Sequence, residues 1–327
     1  MGKRISYLDV AKGFLAILVV YYHLPQMYER FLCMQNPTIM WIERHNYIIA
    51  AFFMQAFFFI TGMCSRFEGP FLPFLWKNIK TIIIPAISLT LILQLSLSNF
   101  HIISFLKQTI FYGGAFWFLT ALFSSKLIVK LFVDYIPNVY IKYILVVGLL
   151  ILGIILNKIK LFPNLYYHQQ TFTCAIFVAL GYSLKRVLNF KIMVIGCFLY
   201  IITICLLILF KINIPTVTLG IHLRLTEIPL YLLLACSGTL LIFLISKLID
   251  SNRLLEFIGK QSLILYCLQT PVLIFIEKLW IKYLYIPLKI SDSVLFYIII
   301  GALSILLMLF ISQILNKKYI RTLLGKF

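Results

Sequence analysis

Two residues near the start of this sequence have the chemistry and spacing for proton transfer. Lys12 and His23 are eleven residues apart and are separated by an apolar run over residues 14–22. Eleven steps of about 100° return to nearly the same face of an α-helix, roughly 16 Å further along its axis. Imidazole takes a proton from a hydroxyl near neutral pH. The spacing therefore predicts one helix face with a cation near one end and a potential general base deep in the segment.

The same spacing also has an ordinary structural interpretation. Lys12 could extend to a membrane surface, His23 could lie at the interfacial end of a helix, and Asp9 could cap the first turn. Spacing alone leaves both interpretations open.

Other titratable residues are weaker candidates for chemistry. Glu43, Arg44 and His45 are expected in an outer loop, where they could bind a sugar or simply form a solvated ion pair. His101, His168 and His222 lie near segment boundaries, and the histidine spacing does not predict a metal site. The sequence also lacks a nucleophile elbow and a phosphate-binding loop.

The composition identifies the solvent of this protein as lipid. Of its 327 residues, 62% are hydrophobic and 12% are charged, whereas a soluble domain is roughly 45–50% apolar and about 25% charged. The net charge of +19 comes from short basic clusters between apolar runs, which is typical of topology signals rather than of nucleic-acid binding. The composition excludes a secreted domain, a cytosolic enzyme and a disordered chain.

The apolar runs predict an all-α, polytopic integral membrane protein with about ten transmembrane helices. Placing the N-terminus in the cytoplasm puts 19 of the 29 Lys and Arg residues at inner ends, which favours cytoplasmic locations for both termini. Lys126 and Lys130 are expected to extend to an interface if it is the cytoplasmic one, and we expect residues 1–327 to form a single domain. The spans are predicted to centre near Leu18, Phe57, Ser88, Lys126, Leu150, Phe177, Tyr200, Ala235, Pro271 and Ile305.

The order of several motifs resembles that of the acyltransferase 3 family. The first is Leu-Asp-x-x-Lys-Gly ending at Gly13 with the distant His23, followed by Phe-Phe-Phe-x-Thr-Gly ending at Gly62 and by Lys80 with Pro85, which by itself predicts a helix start. The later matches are Trp117-Phe118-Leu119, Tyr167-His168, Gly181-Tyr182, and Gly259-Lys260-Gln261-Ser262-Leu263 with Tyr266. The resemblance covers nearly the whole chain and is closest to the short branch typified by fucose 4-O-acetylase-like enzymes.

The resemblance implies a membrane O-acyltransferase that uses acyl-CoA, most simply acetyl-CoA, as co-substrate, without a permanently bound cofactor. The acceptor would be a hydroxyl of a cell-surface polysaccharide or of its lipid-linked precursor, at the plasma or inner membrane. His23 would be the base or a transient acyl carrier, Lys12 would hold the donor, and Asp9 would orient Lys12. The other implied residues are Arg66, Lys80 and Trp117 for the donor, and Glu43, His168, Tyr266 and Gln269 for the acceptor.

Two positions depart from the pattern that this resemblance provides. Gln269 stands where the family often has histidine, and glutamine can hydrogen-bond but cannot accept the proton. Lys12 replaces an arginine found in many members, which keeps the charge but loses the bidentate geometry. Two rival functions therefore stay open: a transporter or flippase of a glycolipid or small solute, and a non-catalytic scaffold derived from an acyltransferase.

Overall fold

The computed structural model describes residues 6–32, 37–96, 101–110, 117–159, 168–216, 223–280, 283 and 294–315, and these residues contain helices and no strand. The helices are α1 (Ser6–Leu32), α2 (Pro37–Ala50), α3 (Phe53–Cys64), α4 (Phe71–Asn78), α5 (Ile84–Ser96), α6 (Ile102–Ile110), α7 (Trp117–Tyr135), α8 (Val139–Ile159), α9 (His168–Leu184), α10 (Phe190–Leu209), α11 (Ile228–Ile249), α12 (Arg253–Lys260), α13 (Ser262–Trp280) and α14 (Val294–Leu315). The prediction of an all-α polytopic membrane protein is confirmed.

Each of the predicted span centres lies in a helix, but the helices differ in how well they suit a membrane. In the described part of the chain, seven segments are long and apolar enough to cross, or up to eight if the bent pair α12 and α13 forms one span. Helix α7 falls short because it contains Lys126, Lys130 and Asp134, and α9 because it has 17 residues. The count of about ten and the cytoplasmic termini stay predictions.

The contacts of the chain group into two compact units. The first unit comprises Met1–Met54, Phe190–Ile214 and Leu234–Leu315. Within it, α1 packs against α2, α12, α13 and α14. Helix α1 is buried on more than one of its faces, as shown by Val10, Ala11, Leu15 and Val20, which are at most 1% exposed.

The second unit comprises Gln55–Asn189, Pro215–Leu233 and Asn316–Phe327. Here α9 packs against α7 and α8, and its Ala175, Phe177 and Val178 are completely buried. The aromatic run of α3 contributes to the interior, since Phe58 is fully buried and its ring meets that of Phe118 edge-on at 5.0 Å. The single domain over residues 1–327 stays a prediction.

One local prediction is wrong, and a second is confirmed with an added feature. Glu43, Arg44 and His45 lie in α2 rather than in a loop, where the Trp41 carbonyl and the His45 Nδ1 are 2.7 Å apart in a local contact. Pro85 is the second residue of α5, as its predicted place at a helix start requires, but α5 continues without a break from α4 through a π-helical turn at Ile79–Ile83. A wider turn accommodates a proline that cannot donate to the preceding turn.

Candidate active site

Helix α1 carries the residues with the strongest predicted roles. As expected from the spacing, Lys12 and His23 belong to this one helix, and His23 lies inside it rather than at its end. The Lys12 ammonium is 3.4 Å from the Asp9 carboxylate, and the exposed fractions of the two side chains are 25% and 4%. The His23 ring lies edge-on to Tyr22, with 5.0 Å between the ring centroids. Asp9 is thus an almost fully buried partner that can orient the partly exposed Lys12.

The first and last motifs of the sequence meet at a backbone-to-backbone helix crossing. A Cβ atom on Gly259 of α12 would overlap the Asp9 carbonyl oxygen and lie 3.0 Å from the Gly13 nitrogen. A Cβ on Gly13 would in turn overlap the Leu255 carbonyl oxygen. Small residues allow helices in membranes to approach this closely. The crossing therefore fixes α12 directly against the turn that carries Asp9 and Lys12.

One hydrogen bond joins α12 to α1, and a second caps α12 itself. The Ser6 hydroxyl donates to the Glu256 carboxylate at 2.6 Å, and Asn252 caps the helix by accepting from the Leu255 N–H at 3.0 Å. The chain then bends by 77° between α12 and α13. This bend follows Lys260 and directs the chain into α13, which carries Tyr266 and Gln269.

Gln269 is one of six residues in the described part of the chain with a buried polar side-chain atom that lacks a hydrogen-bond partner. It is 5% exposed, and its Oε1 has no hydrogen-bond partner among the described residues. A buried carbonyl oxygen without a donor is destabilising, so such a group indicates a place where a ligand or water could donate. Tyr266, one turn earlier in α13, is partly exposed. Glu43 belongs to the same unit and is partly exposed in α2.

The second unit contains a similar crossing of two further motifs. A Cβ on Gly62 of α3 would overlap the Val178 carbonyl oxygen, and one on Gly181 of α9 would overlap the Phe59 carbonyl oxygen. The Thr61-Gly62 and Gly181-Tyr182 segments are therefore held together by direct backbone contact. The sequence showed both glycines but did not show that they pair.

Of the predicted donor-side residues, Lys12 lies in the first unit, and the other three, Arg66, Lys80 and Trp117, lie in the second. Arg66 is exposed in the loop after α3, and the Lys80 ammonium lies 5.7 Å from the centroid of the Trp76 ring, a cation–π contact. Trp117 is the first residue of α7, and its ring meets Phe118 edge-on at 6.4 Å. Helix α7 packs against the π-helical turn that contains Lys80. The side chain of His168 lies outside the described residues.

The prediction that Lys130 extends to an interface is wrong. Its side chain is fully buried, and its ammonium donates to the carbonyls of Phe67 and Gly69 at 2.8 and 2.6 Å and to the Asp134 carboxylate at 2.5 Å. Its burial is possible because each N–H of the ammonium has an acceptor. The sequence does hold a signal for this burial, because Lys130 and Asp134 form an i, i+4 pair of opposite charges within an apolar run. The prediction did not take this pair into account.

These bonds fix the loop that follows the Thr61-Gly62 motif and contains Arg66. The Tyr182 hydroxyl donates to Glu68 in the same loop at 2.9 Å. A backbone hydrogen bond and this hydroxyl lower the pKa of Glu68. Lys130 is thus a structural residue that the sequence interpretation missed.

A cavity of about 90 Å³ lies among α7, α8 and α9 of the second unit. Its walls are mainly apolar, with Lys142, Tyr143, Tyr182 and Ser183 as the polar members. The residues that line it include none of the predicted site residues. Tyr182 connects it to the Gly181-Tyr182 motif, but the cavity itself indicates no chemistry.

We expect Gly259→Ala to destabilise the protein by about 1–3 kcal/mol, because the added methyl would force α12 away from the Asp9 backbone. The matched control is Gly148→Ala in α8, where an added Cβ meets open space and alanine is the better helix former. Thermal unfolding of the purified proteins in detergent measures both effects. Equal melting temperatures for Gly259→Ala and the wild type would contradict the backbone contact.

The chain also matches a protein-family model. Residues 5–313 match the model of the acyltransferase 3 family, described as an acyltransferase domain. The chain therefore belongs to the acyltransferase 3 family and is a multi-pass membrane protein of the acyltransferase class. No curated protein and no solved structure matches it.

Proposed function

We propose that this protein is an O-acyltransferase, most simply an O-acetyltransferase. It takes the acyl group from cytoplasmic acyl-CoA and transfers it to a hydroxyl of a cell-surface polysaccharide or its lipid-linked precursor. It does so in the plasma or inner membrane. The observation that carries the proposal is the crossing at Gly13 and Gly259, which joins the Asp9–Lys12 pair of the His23 helix to the segment leading to Gln269.

The proposed reaction has two steps, and each combines one proton transfer with one bond change at the carbonyl carbon. His23 removes the proton from the acceptor hydroxyl as the hydroxyl oxygen attacks the thioester carbonyl carbon. The tetrahedral intermediate then expels the CoA sulfur, and the sulfur takes up the proton from the His23 imidazolium. A C–O bond has formed and a C–S bond has broken, and His23 is again neutral. In the alternative route, His23 itself first accepts the acyl group and then passes it to the hydroxyl.

The remaining residues act on binding. Lys12, oriented by Asp9, provides a positive charge for the donor or its phosphates. Arg66, Lys80 and Trp117 are weaker candidates for contact with the donor. Among the acceptor-side candidates Glu43, Tyr266, Gln269 and His168, the unpartnered Oε1 of Gln269 has the clearest rationale. It can accept a hydrogen bond from a hydroxyl of the acceptor.

The test of the function is a comparison of surface glycans from cells with and without this protein. Alkaline release of ester-linked acyl groups, followed by their quantification, should give more acyl ester in the cells that contain it. Acyl ester that is equal in both, together with a protein-dependent movement of glycolipid across the membrane, would favour a transporter instead. If the protein causes neither acyl ester formation nor glycolipid movement, the result would favour the non-catalytic scaffold.

We expect Gln269→Leu to lower kcat/KM for the acceptor by about tenfold, the effect of one hydrogen bond to an otherwise unpaired buried group. The same change should leave the melting temperature unchanged or raise it, because it removes a buried polar oxygen. Acyl transfer and thermal unfolding of one purified sample separate these effects. Gln269→His, which restores the residue common in the family, should retain activity. Full activity in Gln269→Leu would show that Oε1 does not bind the acceptor.

A further inference from the structure

The turn of α1 just before Pro25 has lost part of its own hydrogen bonding. Pro25 lies inside this helix, and proline has no N–H to donate to the carbonyl four residues earlier, which belongs to Tyr21. An unpaired backbone carbonyl is costly in a membrane, so that carbonyl needs a donor from elsewhere. His23 lies between these two residues. Its backbone therefore depends on helices other than α1.

Helix α14 supplies the missing donor. The Tyr297 hydroxyl donates to the Tyr21 carbonyl, and the Tyr21 hydroxyl donates to the Ile298 carbonyl at 2.7 Å. The two tyrosine rings are in contact, with 5.6 Å between their centroids. Gly301 allows this approach, since a Cβ there would overlap the Tyr21 ring. The two helices thus exchange hydrogen bonds at the turn that contains His23.

Helix α2 holds the adjacent peptide group. The Asn46 Nδ2 donates to the Tyr22 carbonyl at 3.1 Å, and the Asn46 side chain is buried, with 7% exposed. That carbonyl belongs to the peptide unit that ends at the His23 nitrogen. A rotation of this unit would swing the imidazole away from its position.

We propose that Tyr297 and Asn46 are positioning residues that set the direction of the His23 imidazole. This inference rests on the proposed function, because it concerns the reach of the proposed base. Tyr297 and Asn46 act on the backbone at Tyr21 and Tyr22 and take no part in the proton transfer. Both lie far from His23 in the sequence, at positions outside the motifs that carry the family resemblance.

The test measures acyl transfer in membrane vesicles that contain the full-length protein, with radiolabelled acetyl-CoA as donor and the host glycan as acceptor. Tyr297→Phe removes the hydroxyl and keeps the ring, and Asn46→Leu removes the donor and keeps the approximate volume. Each should lower kcat by at least about tenfold, because a displacement of roughly 1 Å costs up to about 100-fold. KM for acetyl-CoA should stay unchanged, since the contacts of the donor are left intact.

A suppressor variant distinguishes positioning from a general loss of packing. Pro25→Ala restores an N–H that can donate to the Tyr21 carbonyl within α1. In that background, Tyr297→Phe should change kcat by less than about threefold, whereas Asn46→Leu should still lower it. Ser312→Ala is the matched control, because it removes a buried hydroxyl from the same helix α14, where it donates to Leu309 at 2.7 Å. It should leave kcat unchanged.

Rates are divided by the amount of monodisperse protein from size-exclusion chromatography, so that a folding defect is not counted as a catalytic one. Wild-type kcat in folded Tyr297→Phe and Asn46→Leu would overturn the inference and leave the proposed function standing. An equal loss in Tyr297→Phe with and without Pro25→Ala would also overturn it for Tyr297. A wild-type protein that transfers no acyl group to any glycan would overturn the proposed function itself.

Discussion

His23→Gln is expected to lower acyl transfer by roughly 10²–10⁴-fold, the usual contribution of a general base. Glutamine retains hydrogen bonding but cannot take up the proton of the acceptor hydroxyl. His23→Ala should cause at least the same loss. The rate is measured as radiolabel moved from acetyl-CoA into alkali-labile glycan. Membrane insertion and the amount of folded protein should match the wild type, because His23 is not among the buried core residues of α1.

The control is His101→Gln, since His101 is an exposed histidine of the second unit with no assigned role. It should transfer acyl groups at the wild-type rate. Near wild-type activity in His23→Gln would show that His23 is structural and that another residue is the base. His168 would then be the next residue to replace.

Lys12→Ala should lower kcat/KM for the acyl-CoA donor by about 10- to 100-fold, since a hydrogen bond to a charged group contributes about 1.5–3 kcal/mol. Lys12→Arg should retain substantial activity because it preserves the charge, although its geometry differs. The dependence of the initial rate on acetyl-CoA concentration gives kcat/KM for the donor. Equal losses in both variants, with normal amounts in the membrane, would argue against recognition by charge alone.

A second variant distinguishes donor binding from a role as counter-ion. The Lys12 ammonium is 3.4 Å from the Asp9 carboxylate, which is almost fully buried, so Lys12→Ala also weakens the compensation of that charge. In Asp9→Asn/Lys12→Ala the carboxylate is gone as well. Recovery of activity in the double variant would mean that Lys12 serves only Asp9. Continued loss of activity in the double variant supports contact of Lys12 with the donor. Lys247→Ala, a change of an exposed lysine, is the control and should stay active.

The membrane class and the placement of Lys12 and His23 on one helix could be read from the sequence. Apolar content and helix formation depend on the local sequence, and α1 is helical over all 27 residues of Ser6–Leu32. The motif order likewise identified the family, which the match over residues 5–313 confirms. The narrower fucose 4-O-acetylase-like assignment, the donor and the acceptor stay predictions.

Local patterns also misled in definable ways. A lysine between apolar residues has the same sequence signature whether it reaches an interface or a set of carbonyls, so Lys130 was predicted at an interface but is buried. A cluster of charged residues before a span looks like a loop, yet Glu43 lies in α2. The burial of Lys130 depends on acceptors more than sixty residues away along the chain.

The sequence by itself determined that this is an all-α membrane protein of the acyltransferase 3 family with a histidine and a lysine on its first helix. Only the tertiary structure decided which glycines pair: Gly13 with Gly259, and Gly62 with Gly181. It also decided that Tyr297 satisfies the carbonyl that Pro25 leaves without a helical donor. A glycine marks a position where another backbone can approach closely. A proline marks a position where a backbone carbonyl lacks its helical donor. The partner comes from a distant segment, and packing of the whole chain selects it.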